Sequence, residues 1–416
     1  MNEQIRTLED AYEARAFNKF PLAIVRGKGS LVWDSEGREY VDFMSGIGVA
    51  LVGHCNESVV DAVREQSGRL LTCHGSYYND VRAGFVERLA KAAPKGLGKV
   101  LLTNTGTESV EAAIKLARRH TSRRKVVAMK GAFHGKTYGA LSATWNKKYR
   151  DPFGPLLEGF AFAEYGDAKS LESMVDGDTA AVIAEPVQGE SGVLVPPDGY
   201  FKEVKEICDR KGSLLIFDEI QSGLGRTGKM WASEHWGVVP DIMTVSKGLG
   251  GGLPIGAALA TEAVAGSLKG GEHTSTFAGN PLSCAAGSAT LDYISKNDLP
   301  SKAKERGEVL KAGLSKVASA HRLAKEVRGL GLMLALQARV DIHSMLLSAQ
   351  GRGVITAYSG RDTFRFLPPL VIEGAQMAKG IEVIDRVIDE AEAGRSLTAR
   401  DASGPGSGGQ AAAEER

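Results

Sequence analysis

The strongest constraint on this chain is a rhythm of short, continuous apolar runs set among helical stretches. The runs are KVLLT (99–103), KVVAM (125–129), AAVIAE (180–185), SLLIFDE (213–219) and DIMTVSK (241–247). Helical patterns occupy 80–92 and 107–120. A strand covered on both faces has no polar side, so it reads as an unbroken apolar run. The pattern predicts an α/β fold with a mostly parallel central sheet between helices. That large domain is expected over residues 55–320. Further on, EVRGLGLMLALQ (326–337), GVITAY (353–358) and TFRFLPPL (363–370) precede a helical pattern at 374–393. These predict a smaller α+β domain over 321–395. Residues 30–44 (SLVWDSEGREYVDFM) read as two strands around a turn at Ser35-Glu36-Gly37, and segment 1–54 is expected to join the smaller domain. The tail, 396–416, is rich in Gly, Ser and Ala. It has too little apolar content to offset ordering entropy and is expected to be disordered.

Composition excludes several functions. Lys plus Arg (51) balance Asp plus Glu (50), so nothing asks for nucleic acid or a membrane surface. No run approaches the roughly 18 apolar residues of a membrane span, and the N-terminus is charged and helix-like rather than a signal peptide. The four cysteines, Cys55, Cys73, Cys208 and Cys284, have no CxxC spacing. Reduced thiols in a cytoplasm fit better than disulfides or a zinc site, and no metal is expected.

Chemistry concentrates where apolar runs end. Asp218 ends LLIFD, and Lys247 ends DIMTVSK immediately before glycines. Side chains at the C-terminal ends of parallel strands face the ligand crevice. A lysine in a dry crevice loses basicity and becomes nucleophilic toward carbonyls. Taken singly, Asp218 could equally cap a turn, and Lys247 could bind phosphate or stand in solvent. Thr105-Gly106-Thr107 opens an amphipathic helix with Glu108 in its first turn, which makes an anion site from free N–H groups and hydroxyls. Helix capping by Thr105 or Thr107 is the plainer reading. Phe133-His134 follows a strand and offers an aromatic plate, or simply a core Phe. Glu185 and Glu190 flank a turn in EPVQGE, and a Thr/Ser cluster in HTSTFAGNP precedes a Pro-initiated helix. A phosphate cradle, an aromatic plate, a strand-end carboxylate and a strand-end lysine together are what pyridoxal 5'-phosphate (PLP) requires.

The motifs SGIGVALVGH, TNTGTES, FHGK, EPVQGE, LLIFDEIQSGLGRTG, SKGLGGGLPIGA, STFAGNP and VRGLGLM occur in one order. From about residue 17 to 393 the chain resembles the class-III, ornithine-type PLP-dependent aminotransferases of fold type I. The resemblance implies that Lys247 binds the cofactor covalently and moves the proton, and that Asp218 pairs with its ring nitrogen. It implies that Gln221 approaches the ring hydroxyl while Phe133 and Ile220 cover the two ring faces. Gly106 and Thr107, with Thr105 nearby, would hold the phosphate. Thr276 would reach the phosphate in a neighbouring subunit, making a homodimer the active unit. Glu190 would pair with Arg365 whenever the α-carboxylate of glutamate or 2-oxoglutarate is absent from Arg365.

Two positions depart from that family's common pattern. Lys136 stands where many relatives have Arg in FHGR, and Phe17 aligns with a substrate-binding Tyr, with Tyr12 nearby. The wording is most similar to archaeal enzymes of lysine and arginine biosynthesis. Those act on lysine or ornithine whose α-amino group is masked by an acidic amino-group carrier protein, or by acetyl in the close cousins. A putrescine-type diamine or 4-aminobutyrate is the alternative substrate. Lys136, Lys147, Lys148 and Arg150 are expected to form a basic rim toward an acidic partner, unless they are simply a solvated charge run.

Overall fold

A computed structural model describes residues 1–394; the tail expected to be disordered lies outside the described residues. The strands in chain order are β1 (Ile24–Lys28), β2 (Leu31–Asp34), β3 (Glu39–Phe43), β4 (Lys99–Thr103), β5 (Lys125–Met129), β6 (Phe160–Ala163) and β7 (Thr179–Ala184). They continue with β8 (Leu214–Asp218), β9 (Ile242–Val245), β10 (Gly256–Ala260), β11 (Ala324–Leu330), β12 (Met333–Ala338), β13 (Val354–Ser359) and β14 (Thr363–Phe366).

Seven strands form the central sheet in the order β4-β10-β9-β8-β7-β5-β6. Strands β9, β8, β7, β5 and β6 are parallel neighbours, whereas β10 runs antiparallel between β9 and β4. All six residues of β7 and all five of β10 are buried, which is why these strands show no alternation of polar and apolar residues. Each large aliphatic side chain buried in this way contributes about 1.5–3 kcal/mol. The five apolar runs are β4, β5, β7, β8 and β9. Two strands lie outside those runs: FAFA (β6), an edge strand with partly exposed residues, and GAALA (β10), which is too small-residued to stand out.

The second sheet has the order β1-β2-β3-β13-β14-β12-β11. It is antiparallel except where β3 runs beside β13, with Val41, Asp42 and Phe43 opposite Val354, Ile355 and Thr356. N-terminal and C-terminal chain thus share one sheet. The run 326–337 splits into two strands of a hairpin at Leu330–Met333. The helix Asn2–Tyr12 buries no residue. No helix among the described residues is long and apolar enough to cross a membrane.

Candidate active site

Parallel strands end together, so residues distant in sequence meet above their C-terminal edge. Ala184 of β7 lies opposite Phe217 of β8, which sets Glu185 beside Asp218. Asp218 in turn pairs with Thr244 of β9, three residues before Lys247. The pocket at this edge has a volume of about 200 Å³ and is lined by Lys247, Asp218, Phe133, Thr107, Gln221 and Glu190, among others.

Asp218 is held on every side. His134 Nδ1 lies 2.7 Å from Oδ2, while the Ile220 N–H (3.1 Å) and the Thr244 hydroxyl (3.2 Å) donate to Oδ1. Both Asp218 and His134 are buried. Glu185 accepts from the N–H groups of Phe133 (3.1 Å) and Gly189 (3.2 Å). Burial pushes its carboxyl up to about 7; His134 opposes this and the Asp218 charge adds to it.

Lys247 is half-buried and has φ +41°, in the left-handed region. Such backbone in a non-glycine residue costs on the order of 1–3 kcal/mol and collects at functional sites. Burial pushes its ammonium down to about 8, against an opposing pull from Glu190. Glu190 receives a hydrogen bond from Arg365 Nη1 at 2.5 Å. Burial alone would raise the Glu190 carboxyl, but Arg365 and then Lys247 outweigh it and hold it below its usual range. Arg365 is on β14, so the second sheet supplies one half of this pair.

At the other end, Gly106 and Thr107 begin the helix Gly106–Thr121. The Thr107 hydroxyl lies 2.8 Å from that of Thr137. Gly135, with φ +132°, has no room for a side chain, since a Cβ would sit 2.3 Å from Thr107 Oγ1. The aminotransferase class-III family matches residues 12–388. This chain belongs to the class-III aminotransferases.

The aminotransferase is 47% identical over 379 residues to an acetylornithine aminotransferase of Methanopyrus kandleri, covering 90% of this chain and 96% of that one. It is 41% identical over 363 residues to a [LysW]-aminoadipate semialdehyde/glutamate semialdehyde transaminase of Sulfolobus acidocaldarius, covering 87% and 94%. A solved ornithine aminotransferase from Toxoplasma gondii superposes with a TM-score of 0.92 at 33% identity, over 95% of this chain and 96% of that one. That structure has PLP at partial occupancy in its active site, and the family is PLP-dependent.

The pocket suits that cofactor. A lysine and a buried carboxylate face one cavity with an aromatic ring and a helix N-terminus. His134 Nε2 and Gln221 Oε1 are buried without partners, and buried polar atoms left open in this way mark a place for polar ligand groups.

Lys247, Asp218, Gly106, Thr107, Phe133, Ile220, Gln221 and Glu190 all line the pocket, and Arg365 reaches it through Glu190. Four residues sit elsewhere. Thr105 does not line the pocket; it caps the helix, its hydroxyl oxygen accepting from the Glu108 N–H at 3.3 Å. Thr276 is exposed. Phe17 is 74% exposed and lines a separate cleft beside the N-terminal helix. Lys136 is exposed, with Nζ 4.7 Å from the centre of the Tyr149 ring. Arg150 also leaves the expected rim, because its guanidinium stacks 4.7 Å over Phe162.

Sequence reasoning gave no role to Glu185, His134 or Tyr149. Glu185 had the same signal as Asp218, an acidic residue ending a buried parallel strand. Tyr149, edge-on to Phe133 at 5.7 Å, had none.

Proposed function

We propose that this aminotransferase holds PLP at Lys247. In this reading it moves the terminal amino group between an N-blocked lysine or ornithine and 2-oxoglutarate, in lysine or arginine biosynthesis. The single observation that carries the cofactor reading is Lys247, its ammonium pushed down to about 8 in a pocket shared with Asp218 and the Glu190–Arg365 pair.

When bound, PLP supplies an aldehyde that captures amino groups and a ring that accepts electrons. Asp218, fixed by His134, would face the ring nitrogen and keep it protonated. Phe133 and Ile220 would cover the ring, and Gly106 and Thr107 would meet the phosphate. Gln221 would approach the ring hydroxyl. Lys247 Nζ would take the proton from the substrate carbon and return it, a role that its lowered basicity suits. The α-carboxylate of 2-oxoglutarate would replace Glu190 at Arg365, so one site could accept both an acidic and a neutral chain end.

The names of the relatives support the blocked amino acid, with acetyl or a carrier protein as the block. Lys136, Lys147 and Lys148 are exposed and would meet an acidic carrier. Exposed Thr276 is available to a second subunit, in keeping with a cytoplasmic homodimer. A diamine such as putrescine is the second reading. It is favoured by Lys136, which stacks on Tyr149 instead of lining the pocket.

The deciding experiment is a half-reaction screen with carrier-linked lysine and ornithine, acetylornithine, free ornithine, putrescine and 4-aminobutyrate. The blocked substrates should react fastest, and a faster putrescine rate would overturn that ranking. If neutralising Lys147 and Lys148 leaves turnover of carrier-linked substrate unchanged at every salt concentration, the docking rim is wrong.

A further inference from the structure

Arg226 lies in the loop after β8, the strand that ends at Asp218 and leads into Ile220 and Gln221, and its side chain is completely buried. Among the described residues no carboxylate pairs with it, and its Nε and Nη2 have no partner. Burial alone pushes the guanidinium down to about 9. A buried charge without a counter-charge is a costly thing to keep, so what it holds matters.

It holds two backbone carbonyls. Nη1 donates to Leu332 O at 3.0 Å and to Pro368 O at 2.5 Å. The Arg226 carbonyl accepts in return from the Leu332 N–H at 3.0 Å. Contact between these segments is intimate: a Cβ on Gly331, which has φ +53°, would lie 2.4 Å from the Thr227 carbonyl carbon. Pro368 lies three residues beyond Arg365. The other side of that stretch is fastened as well. The Leu367 N–H donates to Phe43 O at 2.7 Å, and the Ser45 hydroxyl donates to Leu367 O at 2.5 Å. The chain after β14 therefore runs between two jaws, and Arg226 is the jaw anchored in the loop from the central sheet.

We propose that Arg226 is a positioning residue for the acceptor's α-carboxylate: it sets the backbone behind Arg365 relative to the loop that follows Asp218. The proposal rests on the reading of Arg365 as the α-carboxylate anchor. Arg226 itself touches no substrate. Its task is to keep the Arg365 guanidinium opposite Glu190 while the two exchange partners. Asp218 ends a central-sheet strand, Glu190 follows another, and Arg365 belongs to the second sheet, so their separation depends on how the two sheets are joined.

The test uses Arg226→Met and Arg226→Lys in the full-length, PLP-loaded enzyme. Methionine removes the buried charge at similar length and leaves the Leu332 and Pro368 carbonyls without this donor. Single-turnover half-reactions with acetylornithine and with 2-oxoglutarate are compared. R226M should weaken 2-oxoglutarate about tenfold, as expected for a displaced anchor, and change acetylornithine less than about twofold, since that half leaves Glu190 on Arg365. R226K, which keeps a charged donor but has a shorter side chain and no rigid planar end to aim it at both carbonyls, should fall between. Hydrogen exchange at the Leu367 and Leu370 amides, followed without substrate, should quicken in R226M. Equal weakening of both substrates, unchanged exchange, or failure of both variants to fold would make Arg226 structural only and overturn the proposal. Arg365→Met separates the layers. If it leaves 2-oxoglutarate affinity intact, the carboxylate reading falls and takes this one with it. If it weakens 2-oxoglutarate while R226M does not, only the assignment of Arg226 falls.

Discussion

Asp218 and Glu190 are carboxylates in the same pocket, and each is bonded to a nitrogen base, but their settings differ. Asp218 is locked by His134, Thr244 and a backbone N–H, all from the central sheet and its loops. Glu190 has one strong partner, Arg365, which comes from the second sheet. Its side chain is 27% exposed, against 4% for Asp218. A group with several buried bonds keeps one place. A group with a single bond at a solvent-reached wall can give up that bond to a ligand. The floor of the pocket is therefore fixed from several directions and its wall from one.

That contrast can be broken experimentally. Lys247→Ala, which removes the group between floor and wall, should lower turnover by roughly 10⁴-fold or more, measured beside loss of borohydride labelling at position 247. Asp218→Asn keeps the shape of the floor and removes its charge. It should cost about 10³-fold in rate, with little change in KM. A large KM change instead would mean that the floor binds substrate and is not a fixed electrostatic support.

Glu190→Gln tests the wall. Relieved of its competitor at Arg365, 2-oxoglutarate should bind roughly tenfold more tightly, with the rate at saturation little changed. An unaltered KM would show that the pair does not open. Glu185→Gln has the smallest expected effect on rate and reads out in stability. The Glu185 carboxyl is raised from its usual 4.5 to about 7 in the folded protein. Below pH 4.5 both folded and unfolded chains hold the proton. Between 4.5 and 7 only the folded protein keeps it, so the wild type loses stability as pH rises through that window, by up to about 3 kcal/mol. The Gln variant should show a flatter denaturation profile there. Parallel curves would mean that Glu185 does not titrate in this range.

The floor was far more legible in the sequence than the wall. Asp218 and Lys247 each end an apolar run, and a buried parallel strand announces both its path and its C-terminal end. Glu185 shows the same sign. Arg365 lies in a strand of a mixed, hairpin-rich sheet, and only resemblance to a family brought it to the pocket. Phe17 shows the limit of such transfer, since alignment places it near the substrate while the fold leaves it exposed beside the N-terminal helix. Arg226 gave no sign of burial, because a polar residue in a Gly-rich loop reads as surface.

Local sequence determined the central sheet's runs, the start of the helix after Thr105 and the strand-end positions of Asp218 and Lys247. These follow from periodicity and short-range chemistry, which any window of ten residues contains. Only the tertiary structure decided that Glu190 meets Arg365 across 175 positions, that His134 backs Asp218, and that Lys136 stacks on Tyr149 instead of lining the pocket. Those outcomes depend on how two sheets pack and where loops cross, and no short stretch of chain encodes the distance between another two.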